Sequence, residues 1–345
     1  MTFRTIKLPL LLAMLTFATV AAALFALSIG TMQIPLHEAL AALIPSSPSD
    51  PAFRTVILEL RLPRVVLALL IGAALAQTGA AMQALFRNPL ADPSIVGVSS
   101  GAALAAVVVI VLGHALAWSG ILSASWLLPA AAFGGGALTA WIVLRLSRHE
   151  GVTRPSTMLL AGLAVNAIAG AAIGLLIHMA NDSALRSLTF WMYGSLGKAD
   201  WSEIALAAPL MLVPLLWLPL EAHALNALLL GEAEAGHLGV DVPSLQRRVL
   251  LLVVLAVSSS VALAGIIGFV GLVVPHLVRL CTGPDHRLLL PGSAFLGAIL
   301  LVLADAVSRI ALAPAELPIG ILTALIGGPF FLMLMLRYRG GTELS

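Results

Sequence analysis

Few side chains in this chain are of types that do chemistry, and their spacing excludes more than it permits. His149-Glu150 opens like the H-E-x-x-H pair of a catalytic zinc site, but position 153 is Thr, so the second ligand is missing. No G-x-S-G occurs to suggest an intramembrane serine protease. Lys198 follows Gly197, yet Met192 and Ala199 stand where a phosphate-cradling G-x-x-x-x-G-K-[ST] loop needs Gly and Ser or Thr. The other lysine, Lys7, follows Ile6. Cys281 is alone, which excludes a disulfide within the chain and a cysteine-clustered metal site. The acids avoid the centres of the apolar runs: Asp305 and Glu316 sit near run ends, and Asp92, Asp182, Asp200 and Glu203 lie in turns or interfaces. That distribution disfavours an ion-coupled secondary transporter, which needs carboxylates at membrane depth. The helix interiors offer Gln77, Gln83, Asn166 and His178 instead, and His178 is the histidine best placed to meet a passing substrate. The cations are more distinctive: Arg61 and Arg64 bracket Leu62-Pro63 directly before an apolar run, and Arg309 closes another.

The composition says what must position these residues. Of 345 residues, 60% are hydrophobic and 10% charged, against about 25% charged in a soluble domain. Such a chain cannot cover a water-facing surface, and the predicted fold class is an all-α integral membrane protein. With 18 Lys+Arg against 16 Asp+Glu there is no basic patch for nucleic acid. A spanning helix takes about 20 mostly apolar residues. Ten such runs lie between turn signals, at roughly 8–29, 64–86, 94–113, 124–146, 154–179, 202–220, 246–263, 266–282, 288–309 and 317–337. The weakest boundary is V-A-L-A-G-I-I-G between the seventh and eighth, where no charge marks a loop. The first run is long for a signal peptide and reads as a retained helix.

With the N-terminus in the cytoplasm, the 18 Lys+Arg divide twelve inside to six outside, so both termini are expected inside. The outside six include Arg61, Arg64 and Arg309. Ten spans make two halves of five, and an odd number per half forces the second to run inverted. The sequence echo between the halves is weak: A-D-P-S-I-V-G at 91–97 and A-E-L-P-I-G at 315–320. Small residues recur at packing intervals: Gly72, Ala76 and Ala80; Gly170 and Gly174; Gly265, Gly268 and Gly271. Such positions let helix backbones approach closely in lipid.

The longest inside segment, Glu221 to Pro243, reads as two short helices broken at Gly231 and stopped by Gly239 and Pro243. Glu232 and Glu234 open the second piece, where acids suit the helix dipole. Leu228, Leu229 and Leu230 are expected to be exposed unless something covers them, as on a docking element for a cytoplasmic partner or an amphipathic loop on the membrane.

The stretch Arg61–Gly101, R-L-P-R-V-V-L-A-L-L-I-G-A-A-L-A-Q-T-G-A-A-M-Q-A-L-F-R-N-P-L-A-D-P-S-I-V-G-V-S-S-G, resembles the permease subunits of ABC importers for vitamin B12, ferric siderophores and haem, the FecCD-type permeases. The likeness continues through L-L-L-G-E-A-E-A-G-H-L-G-V at 228–240, G-I-I-G-F-V-G-L-V-V-P-H-L-V-R-L at 265–280, G-P-D-H-R-L-L-L-P-G at 283–292 and A-E-L-P-I-G-I-L-T-A-L-I-G-G-P-F-F at 315–331. The resemblance implies a single ten-helix permease domain over 1–345, with the fold of type II ABC importers. It implies a homodimer, two cytoplasmic ATPase subunits that bind ATP and Mg, and a periplasmic binding protein; this chain itself would hold no cofactor and hydrolyse nothing. It also assigns roles. Arg61, Arg64 and Arg309 would face outward to receive acids of the binding protein. Leu225, Leu228, Leu229, Gly231, Glu232 and Glu234 would form the coupling helices, within 221–243, that meet the ATPase. Asn88, Leu90 and Ser156 match the inner gate, and the fifth and tenth spans, with Asn166 and His178, would line the pathway. Together with W-M-Y-G-S-L-G at 191–197, the opening motif looks most like the haem permeases, with ferric siderophore and corrinoid carriers as alternatives.

Overall fold

The computed structural model describes residues 8–44, 47, 49–116, 126–149, 152–153 and 155–340. Arg4, Lys7, Arg154 and the start of the fourth predicted run lie outside them. The described chain is helical apart from a two-residue antiparallel pair, β1 (Arg148–His149) with β2 (Val152–Thr153).

The first half opens with α1 (Leu8–Ser28), the short α2 (Leu36–Leu43) and α3 (Pro51–Thr55). A π-helical turn, Val56–Arg61, leads without a break into α4 (Leu62–Leu85), which carries Pro63 in its first turn. Then come α5 (Val98–Leu116), α6 (Leu127–Leu146) and α7 (Pro155–Met179). The amphipathic α8 (Asp182–Met192) is capped by Asn181, which accepts from the Ala184 amide at 2.9 Å. The second half holds α9 (Trp201–Trp217), the short α10 (Ala222–Leu228) and α11 (Glu232–His237), then α12 (Val242–Ala264), α13 (Val270–Thr282), α14 (His286–Ile310) and α15 (Ile319–Gly340). Asp241 and Asp285 cap α12 and α14, accepting from the amides of Ser244 and Arg287.

Among the described residues, seven stretches are long and apolar enough to cross a membrane: Pro9–Ser28, Pro51–Leu85, Leu127–Leu146, Ser156–Met179, Trp201–Leu228, Val242–Ala264 and His286–Ile310. Three shorter apolar helices, Val98–Gly113, Val270–Thr282 and Ile319–Leu334, fall on the other three predicted runs. The doubtful boundary at V-A-L-A-G-I-I-G is a real break. α12 stops at Gly265 (φ +70°), and α13 starts after Phe269 (φ +66°). Gly268, with nothing within 4 Å of a Cβ built on it, serves the break alone, whereas Gly265 both ends α12 and lets the Trp191 carbonyl at the end of α8 approach closely.

α4 is the most buried spanning helix, packed against α14, α12, α13 and α9, whereas α1 and α7 are peripheral. Two glycine contacts bring it that close. A Cβ on Gly72 would overlap the carbonyl of Gly297 in α14, and one on Gly79 would overlap that of Gly271 in α13. Gly170 and Gly174, expected to pack, have nothing within 4 Å of a Cβ built on them; they lie on the open face of α7.

Candidate functional site

Two clusters of polar side chains sit at opposite ends of the antiparallel pair α4 and α14. The first joins the start of α4 to the end of α14. Arg64 donates through Nε to Asp305 at 2.7 Å and through Nη1 to both oxygens of Glu316 at 2.9 Å. Arg309 Nε lies 3.3 Å from the other oxygen of Asp305, and its Nη2 donates to the Ala26 carbonyl at 2.7 Å. Arg61 donates to the carbonyls of Leu27, at the end of α1, and Met32, in the link after it.

These bonds show that the three arginines to which the resemblance gives a docking role are already engaged within the chain. All three are under 9% exposed, and each already has acceptors within the chain. The reason is local: a guanidinium at the end of an apolar bundle is stable only if its donors are met. Asp305, 1% exposed between two arginines, and the carbonyls of Ala26, Leu27 and Met32 supply acceptors, while Arg309 Nε, 3.3 Å from Asp305 Oδ2, is held by charge without a hydrogen bond. Glu316, with its side chain 48% exposed, is the acidic partner of the cluster that faces solvent.

The second cluster surrounds α10 and α11. The expectation that Leu228 is exposed is wrong: Leu225 and Leu228 are 0% exposed, the inward stripe of α10 against α14 and α4. Leu229 and Leu230, at 40% and 67%, are the outward pair. Gly231 turns the chain at φ +134°, a conformation that favours glycine, and Glu234 folds its carboxylate over that turn. Glu232 is half-buried and accepts from Gln246 of α12 at 3.3 Å; Glu234 is exposed.

The sequence reading missed the bonds that hold this element in place. Glu221, just before α10, accepts from Arg248 of α12 at 2.7 and 3.1 Å. Asn226 donates to Asp285 Oδ1 at 2.7 Å, while its own oxygen accepts from the His286 amide at 2.9 Å and lies 2.8 Å from His286 Nδ1. Asp285 is held well below the ordinary carboxylate range, chiefly by the Arg287 guanidinium, so this junction stays charged. Asp241 is lowered similarly by the Ser244 hydroxyl. A local signal existed for Asp285, in the D-H-R that opens α14. None existed for Asn226, whose partners are 59 and 60 residues away.

The remaining predicted residues are dispersed. Asn88 is exposed and accepts from the Leu90 amide at 2.9 Å, closing the turn after α4; Leu90 is half-buried. Ser156 is exposed in the first turn of α7, and His178 in its last. Asn166 is half-buried, with its side-chain oxygen 3.3 Å from the Cβ position of Gly97, so it turns toward the protein interior. Cys281 is exposed at the end of α13. Among the described residues, no three His, Cys, Asp or Glu side chains cluster to hold a metal.

The arrangement is a helical membrane body with a fastened two-helix element at one end and a buried ionic knot at the other. A family profile, that of the FecCD transport family, matches residues 18–337. The chain belongs to the FecCD transport family. This membership makes it a permease of the ABC importer class and a multi-pass inner-membrane protein. The chain is 48% identical over 284 residues to the hemin transport system permease HmuU of Yersinia pestis, covering 82% of this chain and 83% of that one. It is 44% identical over 279 residues to the vitamin B12 import permease BtuC of Salmonella typhi, covering 81% and 83%. It is also 42% identical over 329 residues to the ABC transporter permease YvrB of Bacillus subtilis, covering 92% and 91%. A solved metal-chelate type ABC transporter in an inward-facing conformation superposes at TM-score 0.82, with 34% identity, over 95% of this chain and 99% of that one. PsaBC of Streptococcus pneumoniae, solved with a Fab, shares the fold at TM-score 0.54 with 18% identity over 79% and 90%.

Proposed function

We propose that this FecCD permease carries haem from a periplasmic binding protein into the cytoplasm, as a homodimer driven by two separate ATPase subunits. The seven long and three short apolar helices support a ten-span topology, five and five, with both termini inside. The observation that carries the ATPase assignment is the geometry of α10 and α11. Leu225, Leu228, Glu221 and Asn226 fasten the element to the bundle, which leaves Leu229 and Leu230 presented on a rigid base. Two exposed leucines on a fixed platform suit a protein partner better than a mobile loop does. The open face of α7, with Leu160, Leu163, Ile168 and Leu175 exposed beside Gly170 and Gly174, is the surface we assign to the second copy.

Haem is favoured by the 48% identity to the hemin permease, against 44% for the B12 permease. A ferric chelate is the second reading, favoured by the metal-chelate transporter of matching fold. The binding protein is assigned to the face of the Arg61, Arg64 and Arg309 cluster. Docking there through these arginines exchanges Glu316 for a carboxylate of the partner. The reading is tested in proteoliposomes holding the chain with its ATPase and binding protein, offered haem, cobalamin or a ferric siderophore. Haem uptake that needs ATP and is lost, along with the bound ATPase, in Leu229→Asp is the expected result. Uptake of another substrate in preference overturns the haem assignment, and uptake by the chain alone under a proton or sodium gradient overturns the ABC mechanism.

A further inference from the structure

We infer that α14 is the connecting rod of the transporter and that Asn226 is the positioning residue that pins it to the ATPase-facing element. The inference rests on the assignment of α10 and α11 as that element. At the inner end, Asn226 does for α14 what a residue of α14 itself would ordinarily do. A helix start leaves its first amides without partners. Asp285 takes the Arg287 amide, and Asn226, from a different helix, takes the His286 amide. The same side chain donates to Asp285, so its orientation is determined: the amide nitrogen must face the carboxylate and the oxygen must face His286. With that oxygen as acceptor, His286 carries its proton on Nδ1. His286 is 1% exposed, so solvent does not replace these bonds if they are lost.

The rest of α14 is built to carry a displacement. It is 25 residues long, about 37 Å at 1.5 Å per residue, and extends from the pin to the ionic knot. Gly297 lies near its middle and touches Gly72 of α4 backbone to backbone, so the two helices cross without interlocked side chains at that point. At the outer end, Asp305 and Arg309 join Arg64, which also holds Glu316, three residues before α15 begins. The Leu317 amide adds a bond to the Ser308 carbonyl at 3.1 Å. A tilt of α14 about Gly72–Gly297 therefore reaches the segment that leads into α15. The other ties of the inner element, Glu221 to Arg248 and Glu232 to Gln246, go to α12, which ends at the break before Phe269. α14 is the tied helix that continues, past Pro291 in its second turn, to the far face.

The test uses the reconstituted complex of permease, ATPase and binding protein, and reads haem uptake per ATP hydrolysed. Asn226→Asp sets two carboxylates against each other at the pin. The paired variant Asn226→Asp with Asp285→Asn restores a hydrogen bond with donor and acceptor exchanged. Each variant must first elute and melt like the parent. In Asn226→Asp the ATPase should still copurify and hydrolyse ATP while uptake per ATP falls about tenfold, the scale of a typical coupling energy between sites. The paired variant should recover to within about threefold of the parent, since interacting neighbours are non-additive. Unchanged uptake per ATP in Asn226→Asp overturns the rod, as does a paired variant no better than the single one. Loss of the ATPase from Asn226→Asp also overturns it, because Asn226 would then belong to the docking surface. A Leu229→Asp variant that keeps its ATPase rejects the docking assignment itself, independently of the pin.

Discussion

At Asp305, one carboxylate, 1% exposed, answers two guanidiniums, so its loss leaves two buried cations short of an acceptor. Breaking a buried pair from one side costs about 3–5 kcal/mol, whereas an exposed pair contributes about 1 kcal/mol or less. Asp305→Asn is therefore expected to lower the detergent unfolding temperature steeply. Glu316→Gln, whose side chain is 48% exposed on the same Arg64, should barely move it. Equal shifts for the two variants would mean that Asp305 is not the centre of the knot. The contrast also separates a structural role from a docking role within one cluster. Glu316→Gln frees one edge of Arg64, while Asp305→Asn damages the body that presents it.

At the level of elements, glycine serves two purposes that the same spacing conceals. Gly72 is a contact: its missing Cβ lets α4 and α14 touch, and a larger side chain there forces the pair apart. Gly170 lies on the open face of α7, where a Cβ meets nothing within 4 Å. Gly72→Leu should cut the yield of folded permease and lower its melting temperature, since overpacking costs about 1–3 kcal/mol. Gly170→Leu should leave the melting of the separated chain unchanged and weaken self-association, read by cross-linking in the membrane. A Gly170→Leu variant that unfolds the chain would show that this face is packed within the chain. One that dimerises normally would remove α7 from the proposed dimer interface.

For the whole molecule, the question is where affinity for cargo resides. On the proposed haem reading, a permease that bound haem strongly midway would trap it, so strong ligation would belong in the binding protein, which docking can empty. His178 is exposed at the end of α7, and among the described residues no three His, Cys, Asp or Glu side chains cluster to hold a metal. Axial haem ligation takes a positioned His, Cys, Met or Tyr. His178→Ala is expected to retain a substantial part of haem-stimulated ATPase activity and uptake, and the purified permease should carry no strong haem absorbance. A stoichiometric haem spectrum that disappears in His178→Ala would replace the channel reading with a bound-intermediate one and leave the family assignment intact.

The sequence by itself determined the solvent, the runs and the punctuation. Sixty per cent hydrophobic residues required a bilayer, and each predicted apolar run became a helix, even at the unmarked break before α13. These features are local: run length, helix caps and chain breaks depend on neighbours a few residues away. The long motifs carried the family for the same reason. What only the tertiary structure decided was which side of each helix faces inward and which polar groups meet. In a membrane both the lipid-facing and the core-facing sides are apolar, so α4, nearly all buried, and α7, mostly open, read alike. Leu228 and Leu229 are adjacent and chemically identical, yet one is core and the other surface, because α10 turns about 100° per residue against α14. The intrachain partners of the arginines could not be read because Asp305 and the carbonyls at and after the end of α1 lie far away in sequence. Asn226 was not legible at all: its role exists only where α10 meets the start of α14.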